Sequence, residues 1–250
     1  MSETTPTVPS PEPEPQARGF LANLFDLYFA PKDAFTSILK KPRFLVPMVL
    51  VIALAVTFSV VWVKHMDARE FGKLQMQEAG QWEKLSPEQR DQALSFQAKI
   101  MPIVVPVMSL VGPVVMILVT AAVLLLIFRE AMASTVGFKE SVSITSFSFL
   151  AVSLISTPLL LLTMFLKEEW NVDPNQLMAT NLAALLDKAE TAKPLYALAG
   201  SMDLFSFFTI FLLSVGFGVA SKRSTGTAMW GVLVPWAVIV ALKVGWAAIF

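Results

Sequence analysis

The sequence contains no cysteine and only one histidine, His65. Without cysteine, the chain has no disulfide framework and no thiolate chemistry. A single histidine excludes a multi-histidine metal site. The absence of cysteine fits a reducing or an oxidising compartment equally well, so it does not fix the location of the protein.

Charged residues are also scarce. They make up 15% of the 250 residues, whereas a soluble globular chain carries about a quarter. The formal net charge is zero, which argues against a nucleic-acid partner. Apolar residues make up 55% and the mean hydropathy is +0.65. Because the apolar residues are concentrated in a few long runs, the composition predicts an integral membrane protein.

The N-terminal residues 1–17 have no apolar run of the kind found in a signal peptide. They are rich in Pro, Glu, Ser and Thr, a composition that predicts a disordered tail. The first apolar run begins at Phe44. Residues 53–55 resemble a cleavage site, but they lie in the middle of this run, so we interpret it as an uncleaved anchor.

Five apolar segments are long enough to cross the hydrocarbon core, which takes about 20 residues. They are residues 44–63, 103–128, 144–166, 204–220 and 228–250. Backbone polar groups in lipid must pair within their own segment, so each span is predicted to be helical. The predicted fold class is an all-α integral membrane bundle of five transmembrane helices, with interfacial helices at residues 18–43 and two helical outer loops.

Basic residues near the span ends predict the orientation. On one side they precede the first span and occupy the short loops after the second and fourth spans, as Arg18, Lys32, Lys40, Lys41, Arg43, Arg129, Lys139, Lys222 and Arg223. The two longer loops balance or exceed their basic residues with acids. The pattern predicts an N-terminus in the cytoplasm and a C-terminus outside.

The two long loops carry helix-start signals. Ser86, Pro87 and Gln89 form a capping-box pattern, which predicts a helix that continues into the second span. Asp173 and Pro174 predict a second, short helix that carries Leu177, Leu182 and Leu185.

The segment just before the first span combines an apolar helical face with basic residues. Pro31 is suited to the first turn of a helix that ends near Lys40. This helix is either an interfacial anchor for the first span or a docking surface for a partner protein. The candidate partner or lipid contacts are Pro31, Phe35, Lys40, Lys41 and Arg43.

Five polar residues in or beside the spans are candidates for function. Ser146, Ser153 and Thr157 share one face of the third span and form either a packing surface or a polar conduit. Asp203 either caps the fourth span or makes a functional contact. Lys243 lies inside the fifth span and either snorkels to the interface or contacts a substrate or ion.

Other small residues and prolines predict the shape of the spans. Pro113 and Pro158 are predicted kink sites. Gly216 and Gly218 permit close helix contact. These features occur in channels, scaffolds and transporters alike, so they do not select a function.

No catalytic constellation is visible in the sequence. His65 lies at a membrane edge without a nucleophile beside it, and there is no Gly-rich phosphate loop or carboxylate pair within a span. We therefore predict that the protein is not an enzyme and uses no cofactor.

Three segments together resemble the Yip1 family of polytopic membrane proteins. They are FAPKDAFTSILKKPRFLVP at 29–47, GFKESVSITSFSFLAVSLISTPLL at 137–160 and MDLFSFFTIFLLSVGFGVASKRS at 202–224. The resemblance spans roughly residues 22–245 and implies five helices with a cytoplasmic N-terminus. Tyrosines common in eukaryotic members are replaced by Ser and Phe, and position 208 has Phe where bacterial relatives often have Trp.

The resemblance also bears on function. Eukaryotic members act in vesicle traffic with Rab-class small GTPases, whereas the Pro-rich tail and the Phe and Ser changes resemble bacterial members, so that role is not carried over. The leading hypothesis is a membrane-organising scaffold or adaptor in a bacterial cytoplasmic membrane. It contacts lipids and another protein through its N-terminal region, and an oligomer is compatible with the sequence. The alternative is a small permease or channel that uses Lys243, Asp203 and the serine-rich third span.

Overall fold

The computed structural model describes residues 18–188 and 190–249, with no description of the side chains of Asn175 and Gln176. The predicted tail at 1–17 lies outside the described residues. The described residues form ten α-helices, with short 3-10 and π segments between some of them. The helices are α1 Phe20–Phe29, α2 Pro31–Lys40, α3 Leu45–His65, α4 Ala68–Glu78, α5 Pro87–Leu126, α6 Phe138–Lys167, α7 Pro174–Leu177, α8 Lys193–Ser201, α9 Leu204–Ala220 and α10 Thr225–Ile249.

Four of the described helices are long and apolar enough to cross a membrane: α3, α5 with its π-helical extension to Ala131, α6 and α10. The chain is therefore an all-helical, multi-pass membrane protein. Helix α9, with 17 residues, is apolar but shorter than these four. The fifth span remains a prediction.

The capping signal at Ser86 is confirmed. The Ser86 hydroxyl accepts a hydrogen bond from the Gln89 backbone, while the Gln89 side chain accepts one from the Ser86 backbone N–H. The resulting helix α5 has 40 residues and, at 1.5 Å per residue, is about 60 Å long. That length exceeds the hydrocarbon thickness of about 30 Å, so the first turns of α5 extend beyond the membrane and pack against α4.

The two ends of the bundle differ in their connections. One end carries α1, α2, the α5–α6 connection and the α9–α10 turn, and we call it the basic end. There the Arg223 guanidinium donates to the Met132 carbonyl oxygen at 2.9 Å, joining the two connections. The loop end is the opposite one. It carries α4, α7, α8 and the connections around them, tied by hydrogen bonds such as Trp62 Nε1 to the Trp170 carbonyl oxygen at 2.9 Å.

At the basic end, α1 and α2 are part of the protein core. Leu27, Ala34, Phe35 and Ile38 are buried and share one apolar cluster with α6 and α9. The apolar face of α2, which the sequence assigned to the membrane interface, therefore packs against protein. In a membrane protein, lipid and protein neighbours are both apolar, so the amphipathic pattern alone did not distinguish them.

At the loop end, the predicted helix after Asp173 is shorter than expected. Helix α7 begins at Pro174 and ends at Leu177, and Leu182 and Leu185 lie in a separate 3-10 turn. Helices α4 and α8 supply most of the helical structure in these loops. Asp67 caps α4 by accepting hydrogen bonds from the Arg69 and Glu70 backbone.

Candidate functional site

Helices α6 and α9 pack tightly at the basic end and separate toward the loop end. Residues 141–148 of α6 and 212–218 of α9 are all buried. Farther along the same helices, Ser156 and Thr157 of α6 and Ser206 of α9 line a cavity instead. The bundle is thus closed at one end and open between its helices at the other.

The cavity at the loop end has a volume of about 1240 Å³. Its walls come from α3, the end of α4, α6, α8, α9 and α10, together with α7 and the connections around it. Thr157, Asp203 and Lys243, which the sequence predicted as separate polar positions, all line it. We call it the loop-end cavity.

Asp203 is held by two partners at the edge of this cavity. Its Oδ2 accepts a hydrogen bond from the Ser206 backbone N–H at 2.9 Å and caps α9. Its Oδ1 accepts one from the Thr180 hydroxyl at 2.7 Å. The predicted capping role is confirmed, and a bridge between Asn181 and Asp203 joins the loop to the same point.

Lys243 reaches the loop-end cavity from α10. Its Nζ donates to the Ser201 hydroxyl of α8 at 3.4 Å, which is long for a hydrogen bond. The Ser201 hydroxyl itself donates to the Ala197 carbonyl oxygen. The ammonium is therefore weakly held on one wall, in a span where a charged group is costly without a polar neighbour.

The charges around the cavity are of both signs. Glu78, Asp173 and Asp203 line it together with Lys188, Lys193 and Lys243. Glu78 and Lys188 form an ion pair at 2.8 Å that links α4 to the connection after α7. A cavity with balanced charges suits a polar or zwitterionic molecule better than an ion of one sign.

The basic end presents a different surface. Leu21, Phe25 and Phe29 lie four residues apart on α1 and are 76%, 63% and 74% exposed. The rings of Phe25 and Phe29 contact each other, with centroids 4.8 Å apart. We call these three residues the α1 stripe. These three residues are not among the candidate site residues predicted from the sequence.

The opposite face of α1 is anchored to the bundle. The Tyr28 hydroxyl donates to the Ala151 carbonyl oxygen of α6 at 2.7 Å, and the Tyr28 ring stacks with Phe208 of α9. Burial raises the pKa of Tyr28 above its ordinary value because it disfavours the charged phenolate. The α1 stripe is therefore held in a fixed position.

The sequence matches one known protein family over most of its length. A family model of the Yip1 domain matches residues 25–246. The chain belongs to the Yip1 family. Comparisons with curated proteins and with solved structures give no match.

The Yip1 domain includes the loop-end cavity and all of the α1 stripe except Leu21. Its matched range begins at Phe25, within the α1 stripe, and ends beyond Lys243. The loop-end cavity and most of the packed basic end therefore lie inside the family domain.

The Yip1 domain holds the N-terminal candidate residues in two different environments. Pro31 is the first residue of α2. Phe35, predicted to contact a partner or lipid, is fully buried within the chain. Lys40, Lys41 and Arg43 are exposed at the end of α2 and before α3. Direct contact with a partner or lipid remains a prediction for these three basic residues.

The predicted polar face of the third span is divided between core and cavity. Ser146 is fully buried, and its hydroxyl has no hydrogen-bond partner among the described residues. Ser153 is partly buried, and only Thr157 reaches the loop-end cavity. The structure does not bring the three together around one polar space.

The small residues of α9 lie at close helix contacts. A Cβ placed on Gly216 would be 2.4 Å from Ile144 Cγ2 and 3.1 Å from Phe35 Cε1. On Gly218 it would be 3.3 Å from the Arg223 carbonyl oxygen. Glycine is therefore needed at position 216 for α2, α6 and α9 to meet. Pro113 and Pro158 lie inside α5 and α6.

Sequence reasoning missed Thr180 and Ser201, the partners of Asp203 and Lys243. Both lie in irregular or short helical segments at the loop end, where no periodicity marks them. Ser201 lies two residues before Asp203, so its position next to a candidate residue was the one available signal. Among the described residues, no group of three His, Asp or Glu side chains could hold a metal ion.

Proposed function

We propose that this Yip1-family protein is a non-enzymatic scaffold or adaptor that organises the membrane around it. In this proposal the chain has five spans, with α9 as the fourth. The basic end faces the cytoplasm and the C-terminus lies outside, in a bacterial cytoplasmic membrane. The distribution of Lys and Arg near the helix ends supports this orientation.

The α1 stripe is the observation that carries the proposal. Three large apolar side chains are exposed together on a helix that is packed firmly against the bundle. Exposed apolar clusters of this kind are typical of surfaces that bind a protein or a membrane. Because α1 is fixed by its buried face, a partner would dock on a surface that is already ordered.

Exposed basic residues next to α1 support the same role. Lys40 ends α2, and Lys41 and Arg43 follow it at the entry to the first span. Basic residues in this position attract anionic lipids or an acidic partner segment. The basic end thus combines an apolar contact surface with electrostatic attraction.

In-cell photocrosslinking from position 25 tests the adaptor role. A crosslinker there replaces an exposed ring of the α1 stripe, so a discrete protein adduct is expected. Position 36 is the matched control, because Thr36 is exposed on α2 outside the stripe. Lipid adducts alone from position 25, or equal protein adducts from both positions, would contradict the adaptor role.

The basic residues allow a second test of the same role. We expect the triple charge reversal of Lys40, Lys41 and Arg43 to Glu to reduce recovery of the partner. A matched reversal of Arg129, Lys139 and Lys222 to Glu changes the same number of charges at the same end but away from α1. Unchanged recovery in the triple variant would contradict the proposal.

A small permease is the second candidate, favoured by the loop-end cavity. The cavity gathers Thr157, Asp203 and Lys243 from three helices and carries charges of both signs. It is closed toward the basic end by the packing of α6 on α9. Transport of a polar solute would therefore require these two helices to separate there.

Flux through reconstituted vesicles tests the permease role. Lys243→Met removes the ammonium, and Asp203→Asn removes the charge but keeps a side chain that can cap α9. Both variants should fold and should abolish uptake of a solute that the wild type transports. Uptake that is insensitive to both substitutions would contradict the permease role.

A further inference from the structure

A second, smaller pocket lies at the basic end, between α1, the end of α2, the connection from α2 to α3, and α6. Its volume is about 270 Å³. Its polar lining comes from Arg18, Asn23, Ser37, Lys41 and Arg43, and its apolar lining from Phe20, Ile38 and Phe147. We call it the basic-end pocket.

Three cationic side chains surround this pocket. Arg18 is paired with Asp26, so its charge is balanced within the chain. Lys41 and Arg43 are exposed, and neither side chain has a hydrogen bond or an ion pair to another described residue. Two positive charges therefore remain available to a ligand.

Asn23 adds a buried polar atom that has no partner. The residue is only 6% exposed. Its Nδ2 donates to the Arg18 carbonyl oxygen at 3.2 Å, but its Oδ1 has no hydrogen-bond partner among the described residues. Leaving a buried acceptor unpaired is unfavourable. A ligand that donates a hydrogen bond in the pocket would remove this penalty.

Ser37, the other neutral polar residue of the pocket, is already engaged. Its hydroxyl oxygen accepts a hydrogen bond from the Arg18 backbone N–H at 2.8 Å. The contact fixes the chain at Arg18 against α2, so the pocket wall is ordered. The chemistry left open to a ligand is thus two cations and one acceptor.

The pocket lies where a membrane headgroup would be. Arg43 is two residues before α3, a membrane-spanning helix. Leu45 and Val46, the first two residues of α3, are 61% and 52% exposed on the outside of the bundle. A molecule with its polar part in the pocket could therefore extend acyl chains along the start of α3.

We propose that the basic-end pocket binds the headgroup of an anionic phospholipid that carries a hydroxyl. The phosphate pairs with Lys41 and Arg43, since charge-assisted hydrogen bonds to phosphate are among the stronger ones. A headgroup hydroxyl donates to Asn23 Oδ1. Phosphatidylglycerol is the simplest lipid with this chemistry. The assignment extends the proposed scaffold role, because it gives that role a specific lipid.

Lipid binding to the purified full-length chain tests this proposal without any protein partner. The wild type is titrated in detergent with phosphatidylglycerol, phosphatidic acid and phosphatidylcholine, and bound lipid is measured by native mass spectrometry. Phosphatidylglycerol is expected to bind most tightly, although phosphatidic acid has at least as much negative charge. An equal or greater affinity for phosphatidic acid would overturn the hydroxyl contact, and equal affinity for phosphatidylcholine would overturn the site.

A charge-matched pair of variants localises the binding. K41Q/R43Q is expected to weaken phosphatidylglycerol binding by at least about tenfold, since loss of one charge-assisted hydrogen bond is enough for that change. R129Q/K139Q removes two charges from the same end outside the pocket and should bind like the wild type. An equal loss of binding in both variants would show that the loss comes from the surface charge of this end in general, and would overturn the proposal that the pocket binds the lipid.

Two further arms complete the test. Asn23→Leu should abolish the preference for phosphatidylglycerol over phosphatidic acid while phosphatidic acid binding is kept; a retained preference would overturn the role of Asn23.

Soluble glycerol phosphate should bind far more weakly than the lipid, since it lacks acyl chains. Equal affinity would assign the pocket to a free phosphate compound instead. Because no partner is present, these results do not depend on the crosslinking outcome.

Discussion

The two ends of this Yip1 domain use the same helices in opposite ways. At the basic end, α6 and α9 are buried on all sides and contact α2 through Gly216 and Phe35. At the loop end, the same two helices turn polar side chains toward a cavity of about 1240 Å³. The packed part of α6 is rich in small hydroxyl residues, such as Ser141, Ser143 and Ser146, and small residues allow close packing. The loop end instead places the charged side chains of Asp203 and Lys243 at an accessible space. The basic end should therefore determine stability, and the loop end should tolerate change.

The largest expected effect is a difference in stability between alanine substitutions of two phenylalanines in the N-terminal helices, Phe35 and Phe25. Phe35→Ala removes a fully buried ring and should lower the free energy of unfolding by about 3–5 kcal/mol. Phe25→Ala, in the exposed α1 stripe, should change it by less than about 0.5 kcal/mol. Denaturant unfolding in detergent measures both. Similar losses in the two variants would contradict the assignment of α2 to the core.

A glycine substitution tests the close helix contact itself. Gly216→Val places a Cβ 2.4 Å from Ile144 Cγ2, and such overpacking should cost about 1–3 kcal/mol of stability. Gly112→Val is the matched control, because nothing lies within 4 Å of a Cβ at that position. Equal stabilities of the two variants would show that α6 and α9 are not in contact at Gly216.

A cap substitution examines the loop end. Asp203→Ala removes the hydrogen bonds to Ser206 and Thr180 and should cost about 1 kcal/mol, a typical value for an N-cap. Asp203→Asn keeps the capping geometry and should lose much less. Thermal unfolding of both variants measures the difference. A loss as large as that of Phe35→Ala would show that the loop end carries as much stability as the basic end.

The smallest expected effect is a pH dependence at the α1–α6 contact. The pKa of Tyr28 is raised in the folded protein, so the folded state keeps its proton more tightly than the unfolded chain. The contribution of Tyr28 to the free energy of unfolding is fully present below a pH of about 10, the ordinary pKa of tyrosine. It is then lost as the pH rises through the folded pKa.

The Tyr28→Phe variant isolates this contribution. It lacks the titrating hydroxyl, so its free energy of unfolding should fall less steeply than that of the wild type above pH of about 10. The comparison uses unfolding measured at several pH values on either side of that point. Parallel curves for the two proteins would contradict burial of the Tyr28 hydroxyl at the contact.

Part of the fold and of the candidate sites was predictable from sequence. The capping box at Ser86 and the N-cap at Asp203 were recognisable because each signal lies within four residues of the chain. The membrane-crossing segments followed from the length of their apolar runs. The candidate site was harder to predict from the sequence. Thr157, Asp203 and Lys243 are far apart in the chain, and they line one cavity only because of how their helices pack.

The sequence by itself determined the helical class, the apolar segments of the long helices and the location of the basic residues, since these depend on local hydrogen bonding and hydropathy. Only the tertiary structure decided that Phe35 is buried while Phe25 is exposed. It also decided that Asn23 Oδ1, in a pocket with Lys41 and Arg43, has no hydrogen-bond partner among the described residues. The physical reason is that an apolar helix face gains similarly from lipid and from protein. The choice between them depends on which helices fit together, as at Gly216, and not on the pattern of either helix alone.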